Sequence, residues 1–131
     1  MASTKIKWAS MASAGVALLA LSAPASEAWS REGGGYHRLT GEQIRRQVIG
    51  KEVTDGVHWR QDFLPNGVLN EFDMGKPWRG SWWIDRDRLC TTTRYDGDTC
   101  YEVWRKGVQI QFKITSDVER YSGYLERLPD R

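Results

Sequence analysis

The sequence predicts a mainly β fold: a small antiparallel meander with one N-terminal helix, either closed into an up-and-down barrel or left as a curled sheet. From Lys51 to Leu128, short runs of alternating apolar and polar residues are separated by tight turns, and no further helical period occurs. These runs number about eight, and consecutive antiparallel strands of this length close or nearly close on themselves.

The stretch from Trp78 to Trp104 forms the centre of this predicted sheet. It holds four of the seven tryptophans and both cysteines of the chain. Alternation places Trp78 and Trp82 on one face and Trp83 on the other, until the charged turn at 85–88 ends the strand. We therefore expect this stretch to supply much of the core.

One helix is predicted, from Leu39 to Gly50. Thr40 is the expected N-cap, and Gln43, three residues later, completes a capping box. Leu39 and Ile44 can form a hydrophobic staple around the cap, and Gly50 can end the helix in a left-handed conformation. Since so short a helix is not stable alone, we expect it to lie against the rim or mouth of the sheet.

Residues 1–28 have the pattern of a secretory signal peptide. Lys5 and Lys7 precede an apolar run over 11–21, and small residues three apart allow cleavage after Ala28 or, alternatively, after Ala25. The apolar run is much shorter than the roughly 20 residues that span a bilayer. We expect a periplasmic or secreted monomer with no stable membrane span in its mature form.

The predicted mature chain divides into two parts. Residues 29–38 include three consecutive glycines and are predicted to be a flexible leader, and residues 39–131 form a single β domain that includes the helix. Seventeen basic and sixteen acidic side chains remain after cleavage, because Lys5, Lys7 and Glu27 leave with the signal. With both signs scattered along the chain, a nucleic-acid partner is not indicated.

The two cysteines, Cys90 and Cys100, fit one disulfide in an oxidising compartment and do not fit a CxxC redox or zinc motif. A two-residue turn at Asp96-Gly97 would place Cys90 opposite Val103 rather than Cys100. A direct pairing needs a wider loop centred near Tyr95. We therefore predict an irregular loop closed by the disulfide.

Sites for enzymatic chemistry are weakly indicated. His58 lies on the polar face of its strand without a second histidine nearby, and Asp96-Gly97-Asp98 lacks the remaining ligands of a calcium loop. Asp85 and Asp87 flank a hairpin tip, where solvated carboxylates are common. We expect no enzymatic activity, no metal and no cofactor.

Two binding hypotheses remain. In the first, the domain is a lipocalin-like carrier that holds a small apolar or amphipathic ligand against four inward aromatic side chains. These are Trp59, Trp82, Trp104 and Phe112. In the second, the core is filled and the domain is a cell-envelope interaction module, which contacts protein or polysaccharide through Trp83 and the loop 96–99.

The order of short motifs resembles that of a family of small exported proteins of alphaproteobacteria. The family pattern reads L-T-G-x-E-I, F-x-x-(D/N)-G, G-x-W, L-C and C-Y. It is matched here by 39–44, 63–67, 80–82, 89–90 and 100–101.

The match departs from the pattern at Gln43, where Glu is expected; at position 66 it has Asn, which the pattern allows, where Asp is the more expected residue. Neither change disturbs the cap or the turn. The resemblance implies export, a β fold and the disulfide, and it implies no activity and no catalytic residue.

Overall fold

The computed structural model describes Gly15, Ala17 and residues 35–130. Apart from Gly15 and Ala17, the predicted signal peptide and its cleavage site lie outside the described residues. Residues 29–34 of the predicted leader lie outside them too.

Within residues 35–130 the chain forms nine strands and one helix. Polar turns separate the strands along the chain, as the alternating pattern predicts. The elements are β1 (His37–Arg38), α1 (Gly41–Gln47), β2 (Lys51–Thr54), β3 (Trp59–Phe63), β4 (Val68–Asp73), β5 (Lys76–Asp85), β6 (Arg88–Thr93), β7 (Gly97–Lys106), β8 (Gln109–Thr115) and β9 (Val118–Arg127).

Strands β2 to β9 form a closed antiparallel barrel. Each pairs with the next in sequence, and β9 pairs with β2 through Val53 and Leu125. The mainly β fold with an N-terminal helix is confirmed, and of the two predicted forms the sheet takes the closed one. Closure removes the free edges that a curled sheet would expose.

The additional strand β1 lies outside the eight-stranded barrel. It pairs with Trp104 and Arg105 of β7, beyond the point where the β6 ladder ends at Tyr101. The last two residues of the predicted leader, His37 and Arg38, are therefore part of the sheet.

Aromatic rings form a column through the barrel interior. Phe63 stacks on Phe112, with centroids 6.4 Å apart, and Phe112 stacks on Tyr121 at 4.5 Å. The edge of Trp59 meets Tyr121 at 5.4 Å. Aliphatic side chains fill the space around Phe63 and Phe112, so this part of the interior is a packed core. The buried aliphatic residues are Leu39, Ile44, Val48, Val53, Leu69, Leu89, Val103, Ile110 and Leu125.

The helix closes one end of the barrel. Its capping box forms as predicted: the Thr40 hydroxyl accepts from the Gln43 N–H, and the Gln43 side chain accepts from the Thr40 N–H. Ile44 is fully buried in the core. The helix ends at Gln47, earlier than predicted, although Gly50 has the expected left-handed backbone.

The disulfide joins directly opposed residues on the outer face of the barrel. Cys90 pairs with Cys100 across β6 and β7, and the ladder continues regularly to Thr93 opposite Gly97. The loop is centred on Tyr95, as predicted. The prediction that the loop is irregular is wrong. A three-residue connection from Arg94 to Asp96 brings the cysteines into register and leaves the hairpin intact.

Candidate ligand site at the open end of the barrel

The two ends of the barrel differ because only one is covered by the helix. Hydrogen bonds join the helix segment to three parts of the barrel end that it covers. The Gly41 N–H donates to Asp87 Oδ1 at 2.8 Å, the Gly50 N–H donates to the Phe63 carbonyl at 2.7 Å, and Arg105 donates to the Gln47 side chain at 2.9 Å. The opposite end carries the β2–β3, β4–β5, β6–β7 and β8–β9 turns.

A cavity of about 210 Å³ lies at this opposite end, which we call the mouth. Strands β3, β4, β6, β7 and β9 and the β6–β7 turn contribute its walls. The residues around it are Trp59, Gln61, Glu71, Asp73, Thr93, Tyr95, Asp96, Tyr101 and Tyr121.

The aromatic column provides the floor and one wall of the cavity. Tyr101 and Tyr121 meet edge to face, with centroids 5.6 Å apart, and Tyr121 meets Trp59 in the same way. Tyr95 belongs to the β6–β7 turn, and 67% of it is exposed at the outside of the mouth. Rings from four different places in the chain therefore surround one space.

A chain of hydrogen bonds crosses the cavity wall and ends at a carboxylate. The Tyr121 hydroxyl donates to Gln61 Oε1 at 3.0 Å, and Gln61 Nε2 donates to Glu71 Oε2 at 3.1 Å. Glu71 is only 7% exposed, and its burial raises its pKa. Burial also raises the pKa of Tyr121 well above its usual value, so this hydroxyl remains protonated and holds its donor position.

One hydroxyl at the cavity floor has no hydrogen-bond partner. Tyr101 is fully buried, and its Oη makes no hydrogen bond of good distance and angle, although the Thr99 and Arg120 side chains lie near it. Burial raises the pKa of Tyr101, and Asp96, Thr99 and Arg120 are near enough to influence it. Because a buried polar group without a partner is costly, this orphaned hydroxyl indicates a place where a ligand can complete the structure.

The rim of the mouth is acidic. Arg120 is held by Asp96 at 2.6 Å, and Asp73 accepts a hydrogen bond from the Tyr95 side chain. Residues 55–58, 73–76, 94–98 and 115–120 carry six carboxylates and three basic side chains. The carboxylates are Asp55, Asp73, Asp96, Asp98, Asp117 and Glu119; the basic residues are Lys76, Arg94 and Arg120.

The helix end has the opposite balance. Residues 38–51, 64–67, 85–88 and 105–108 carry eight basic side chains and three carboxylates. The nearly neutral chain is therefore polarised along the barrel, with its negative pole at the mouth. The basic residues are Arg38, Arg45, Arg46, Lys51, Arg86, Arg88, Arg105 and Lys106; the acidic ones are Glu42, Asp85 and Asp87.

Of the four aromatic residues predicted to hold a ligand, only Trp59 lines the cavity. Phe112 is fully buried in the core between Phe63 and Tyr121. Trp82 is buried near the helix end, where its indole N–H donates to the Leu64 carbonyl at 2.7 Å. The structure does not bring these residues together into one pocket.

The inward orientation predicted for Trp104 is wrong. Val103 and Phe112, which pair across β7 and β8, are both fully buried, so the adjacent Trp104 lies on the outer face. There its indole donates to Glu102 at 3.1 Å, and the Lys113 ammonium lies 4.5 Å from its ring centroid. The prediction failed because one-residue alternation assigned the more apolar ring, rather than valine, to the core.

Trp83 lies on the outer face of β5, opposite Cys90, and 37% of it is exposed. It is not covered by the helix, whose apolar side chains enter the core instead. On the same outer surface, Ser81 contacts Thr92 at 3.4 Å and the Thr92 hydroxyl donates to Asp98 at 2.5 Å. The two predicted parts of the surface patch thus share one face.

The other sites considered from the sequence have local structural roles. His58 pairs with Asp55 at 2.9 Å, and Asp55 also accepts from the backbone N–H groups of the following turn. Asp87 anchors the helix start at Gly41. Within residues 35–130, no group of three or more His, Cys, Asp or Glu side chains is arranged to hold a metal ion.

Sequence reasoning missed the three most informative residues of the cavity, Glu71, Tyr101 and Tyr121. A signal was present for Glu71, because it falls on the same strand phase as the buried Leu69. Gln61 likewise shares the phase of Trp59 and Phe63. A polar residue on an apolar phase indicates either an internal network or a site, and here it belongs to both.

Comparison of the chain with protein-family profiles, with curated proteins and with solved structures finds no match in any of the three. Among the described residues, no helix has the length and apolar character needed to cross a membrane.

Proposed function

We propose that this chain is an exported, non-enzymatic binding protein that takes one small amphipathic ligand at the mouth of its barrel. The observation that carries the proposal is the cavity at the uncovered end, with the buried and unpartnered Tyr101 hydroxyl at its floor. Export is supported by the signal-like segment 1–28 and by the Cys90–Cys100 disulfide, which persists in oxidising compartments. The resemblance to small exported proteins of alphaproteobacteria favours the periplasm.

The dimensions of the cavity limit the ligand. About 210 Å³ is less than the roughly 300–1,000 Å³ of pockets for drug-sized molecules. The core formed by Phe63 and Phe112 prevents deeper entry. The ligand is therefore a small molecule, or the end of a longer one whose remainder extends past Tyr95 into solvent.

The ligand is expected to be amphipathic because the cavity walls combine apolar and polar groups. Trp59, Tyr101 and Tyr121 offer apolar ring surface, while Glu71 and the orphaned hydroxyl offer hydrogen-bonding positions. A few convergent polar groups in an aromatic pocket are the usual arrangement of small-molecule sites.

Native mass spectrometry of the mature protein, purified from a bacterial periplasm and compared with the denatured sample, tests this function. We expect a discrete added mass that is lost on denaturation. The variant Tyr101→Phe should lose the added mass, and Tyr124→Phe, which removes a hydroxyl from an exposed position on β9, should retain it. Retention of the same mass by both variants would contradict binding at the mouth.

A second function, interaction with the cell envelope through the outer face, is favoured by Trp83. An exposed indole beside the polar Ser81 and Asp85 is suited to contact a protein or to stack on a sugar ring. Its proximity to the rigid Cys90–Cys100 hairpin would hold the ring in place.

Co-sedimentation with isolated envelope polysaccharide tests the second function. Trp83→Ala should abolish co-sedimentation, and Trp104→Ala, which removes a half-buried indole from another part of the outer face, should preserve it. Equal sedimentation of both variants would remove Trp83 from the proposed contact.

A further inference from the structure

We propose that the ligand of the mouth is a small protonated amine carrying an apolar group. This inference rests on the proposed binding function and specifies its ligand class. Three independent features of the mouth support it: uncompensated carboxylates, a surplus of hydrogen-bond acceptors, and aromatic rings arranged around one space.

The first feature is negative charge without a cation. Neither Glu71 nor Asp73 forms an ion pair with a basic side chain in the described part of the chain, whereas Asp96 is paired with Arg120. Glu71 is the more buried of the two, and a buried carboxylate without a cation is costly. A bound ammonium group would supply the missing counter-charge.

The second feature is the direction of the hydrogen bonds. The Tyr121 proton is committed to Gln61 and a Gln61 proton is committed to Glu71, so both protons are used within the wall. The oxygens of Tyr121 and Glu71 keep free lone pairs. Tyr95 likewise gives its proton to Asp73. The unpartnered Tyr101 hydroxyl can both donate and accept, but the other wall groups named here have committed their protons and keep acceptor positions free. This arrangement fits a ligand rich in N–H donors, as an ammonium group is.

The third feature is the set of aromatic rings. Trp59, Tyr95, Tyr101 and Tyr121 come from β3, the β6–β7 turn, β7 and β9 and line the same cavity. Ring faces attract cations, and more strongly when the cation is desolvated. The same rings offer apolar surface to the carbon part of an amine.

The charge of the whole molecule acts in the same direction. With six carboxylates against three basic side chains around the mouth and the reverse excess at the helix end, the field draws cations toward the cavity. An anionic ligand would meet repulsion at the rim and at Glu71. The alternative of a neutral amphipathic ligand leaves the carboxylates uncompensated.

Three probes of nearly equal shape test the inference: 2-phenylethylamine, 2-phenylethanol and 3-phenylpropionate. Each is titrated to millimolar concentration into the mature, disulfide-bonded protein, and binding is followed by the backbone amide resonances of the mouth residues. We expect the protonated amine to bind at least about tenfold more tightly than the alcohol. We expect no shift of the mouth resonances with the carboxylate.

The charge dependence is tested with Glu71→Gln, which keeps the shape of the side chain and an oxygen that can accept from Gln61. This variant should bind amine and alcohol about equally, while Glu42→Gln, at an exposed position of the helix at the opposite end of the barrel, should keep the wild-type preference. If Glu71→Gln does not fold, Asp73→Asn provides the same comparison, because an asparagine oxygen still accepts from Tyr95.

The outcomes separate this inference from the proposed function. Equal binding of amine and alcohol at the mouth would overturn the cationic class and leave the binding function in place. Absence of all three probes from the mouth would overturn the inference, and the native mass measurement would then decide the binding function by itself. A preference for the amine that persists in Glu71→Gln would also overturn it.

Discussion

The ring of Trp59 packs so closely against Gly123 that it occupies the space a side chain at position 123 would need. A Cβ at position 123 would stand 2.9 Å from Cη2 of Trp59 and 2.7 Å from the carbonyl oxygen of Thr54. Real Cβ atoms do not approach other atoms this closely, so the absence of a side chain on β9 is what lets the Trp59 ring turn into the barrel. The position of the cavity wall therefore depends on a glycine on a different strand.

Substitution Gly123→Ala should destabilise the protein by about 1–3 kcal/mol, because the Thr54 backbone cannot yield as a flexible side chain would. Urea unfolding measures the loss. Ser122→Ala, at the neighbouring exposed position, should change stability little. Binding at the mouth should weaken in Gly123→Ala as the ring is displaced; unchanged stability and unchanged binding would contradict the packing described.

The two inward-facing tyrosines of the mouth, the fully buried Tyr101 and the partly buried Tyr121, should respond differently to loss of their hydroxyls. Tyr101→Phe removes a group without a partner, so we expect the ligand-free protein to be as stable as wild type or slightly more stable. Tyr121→Phe breaks the bond to Gln61 and should cost about 1 kcal/mol. Thermal unfolding of ligand-free samples measures both.

This pair also separates function from folding. A side-chain group whose removal leaves stability unchanged but abolishes ligand retention serves binding rather than folding. If Tyr101→Phe were destabilised as much as Tyr121→Phe, its hydroxyl would have a structural partner and the central support for the mouth site would fail.

Removal of the Cys90–Cys100 bridge should lower the free energy of unfolding by roughly 2–3 kcal/mol, since the bridge limits the freedom of the unfolded chain over a short loop. The double variant Cys90→Ala/Cys100→Ala and wild type treated with reductant should unfold at similar urea concentrations. Thr92→Ala, on the same hairpin between the two cysteines, provides a control. Equal stability of the oxidised and reduced proteins would show that the hairpin is held by its ladder alone.

Local features of the fold could be predicted well from the sequence. The Thr40–Gln43 capping box, the burial of Ile44 and the turn at 65–67 follow from chemistry within a few residues, and all are present. The sequence does not predict whether the sheet closes into a barrel. Closure depends on the pairing of Val53 with Leu125, which joins the first and last barrel strands, and no local pattern specifies that pairing.

The candidate site was harder to predict than the fold. Alternation distinguishes two faces of a strand but does not tell how deep an inward residue lies, so Trp59 at the mouth and Phe112 in the core received the same prediction. The inward orientation predicted for Trp104 is wrong for a different reason: contacts with Glu102 and Lys113 stabilise its indole on the outer face. Glu71 was missed because its partner Gln61 lies on another strand.

Stability should decrease as pH rises from about 4.5 to about 7, because of Glu52. This residue is buried on the outer face of β2 beside Asp62, its cross-strand partner, with Arg60 and Glu126 nearby. Burial, together with a hydrogen bond and repulsion from Asp62, raises the pKa of Glu52 from 4.5 to about 7, although Arg60 opposes the shift.

The direction follows from proton binding in the two states. Between pH 4.5 and 7 the folded protein retains a proton on Glu52 that the unfolded chain has released, so the stabilisation present below pH 4.5 is lost as pH rises through this window. Glu71, whose pKa is also raised, adds to the same slope. Asp55 affects stability in a different pH range. Desolvation acts to raise its pKa, but hydrogen bonds from the Trp59, Val57 and His58 N–H groups hold the pKa below its usual value. Its contribution to stability is therefore lost only in stronger acid.

Urea unfolding at several pH values between 4.5 and 7.5 measures this slope. The variant Glu52→Gln should flatten it, because the amide keeps the shape and the hydrogen bond to Asp62 without titrating. Glu119→Gln, an exposed carboxylate on β9, should leave the slope as in wild type. A stability that rises over this pH range, or a slope that Glu52→Gln does not reduce, would show that Glu52 is ionised in the folded protein and that Arg60 outweighs Asp62.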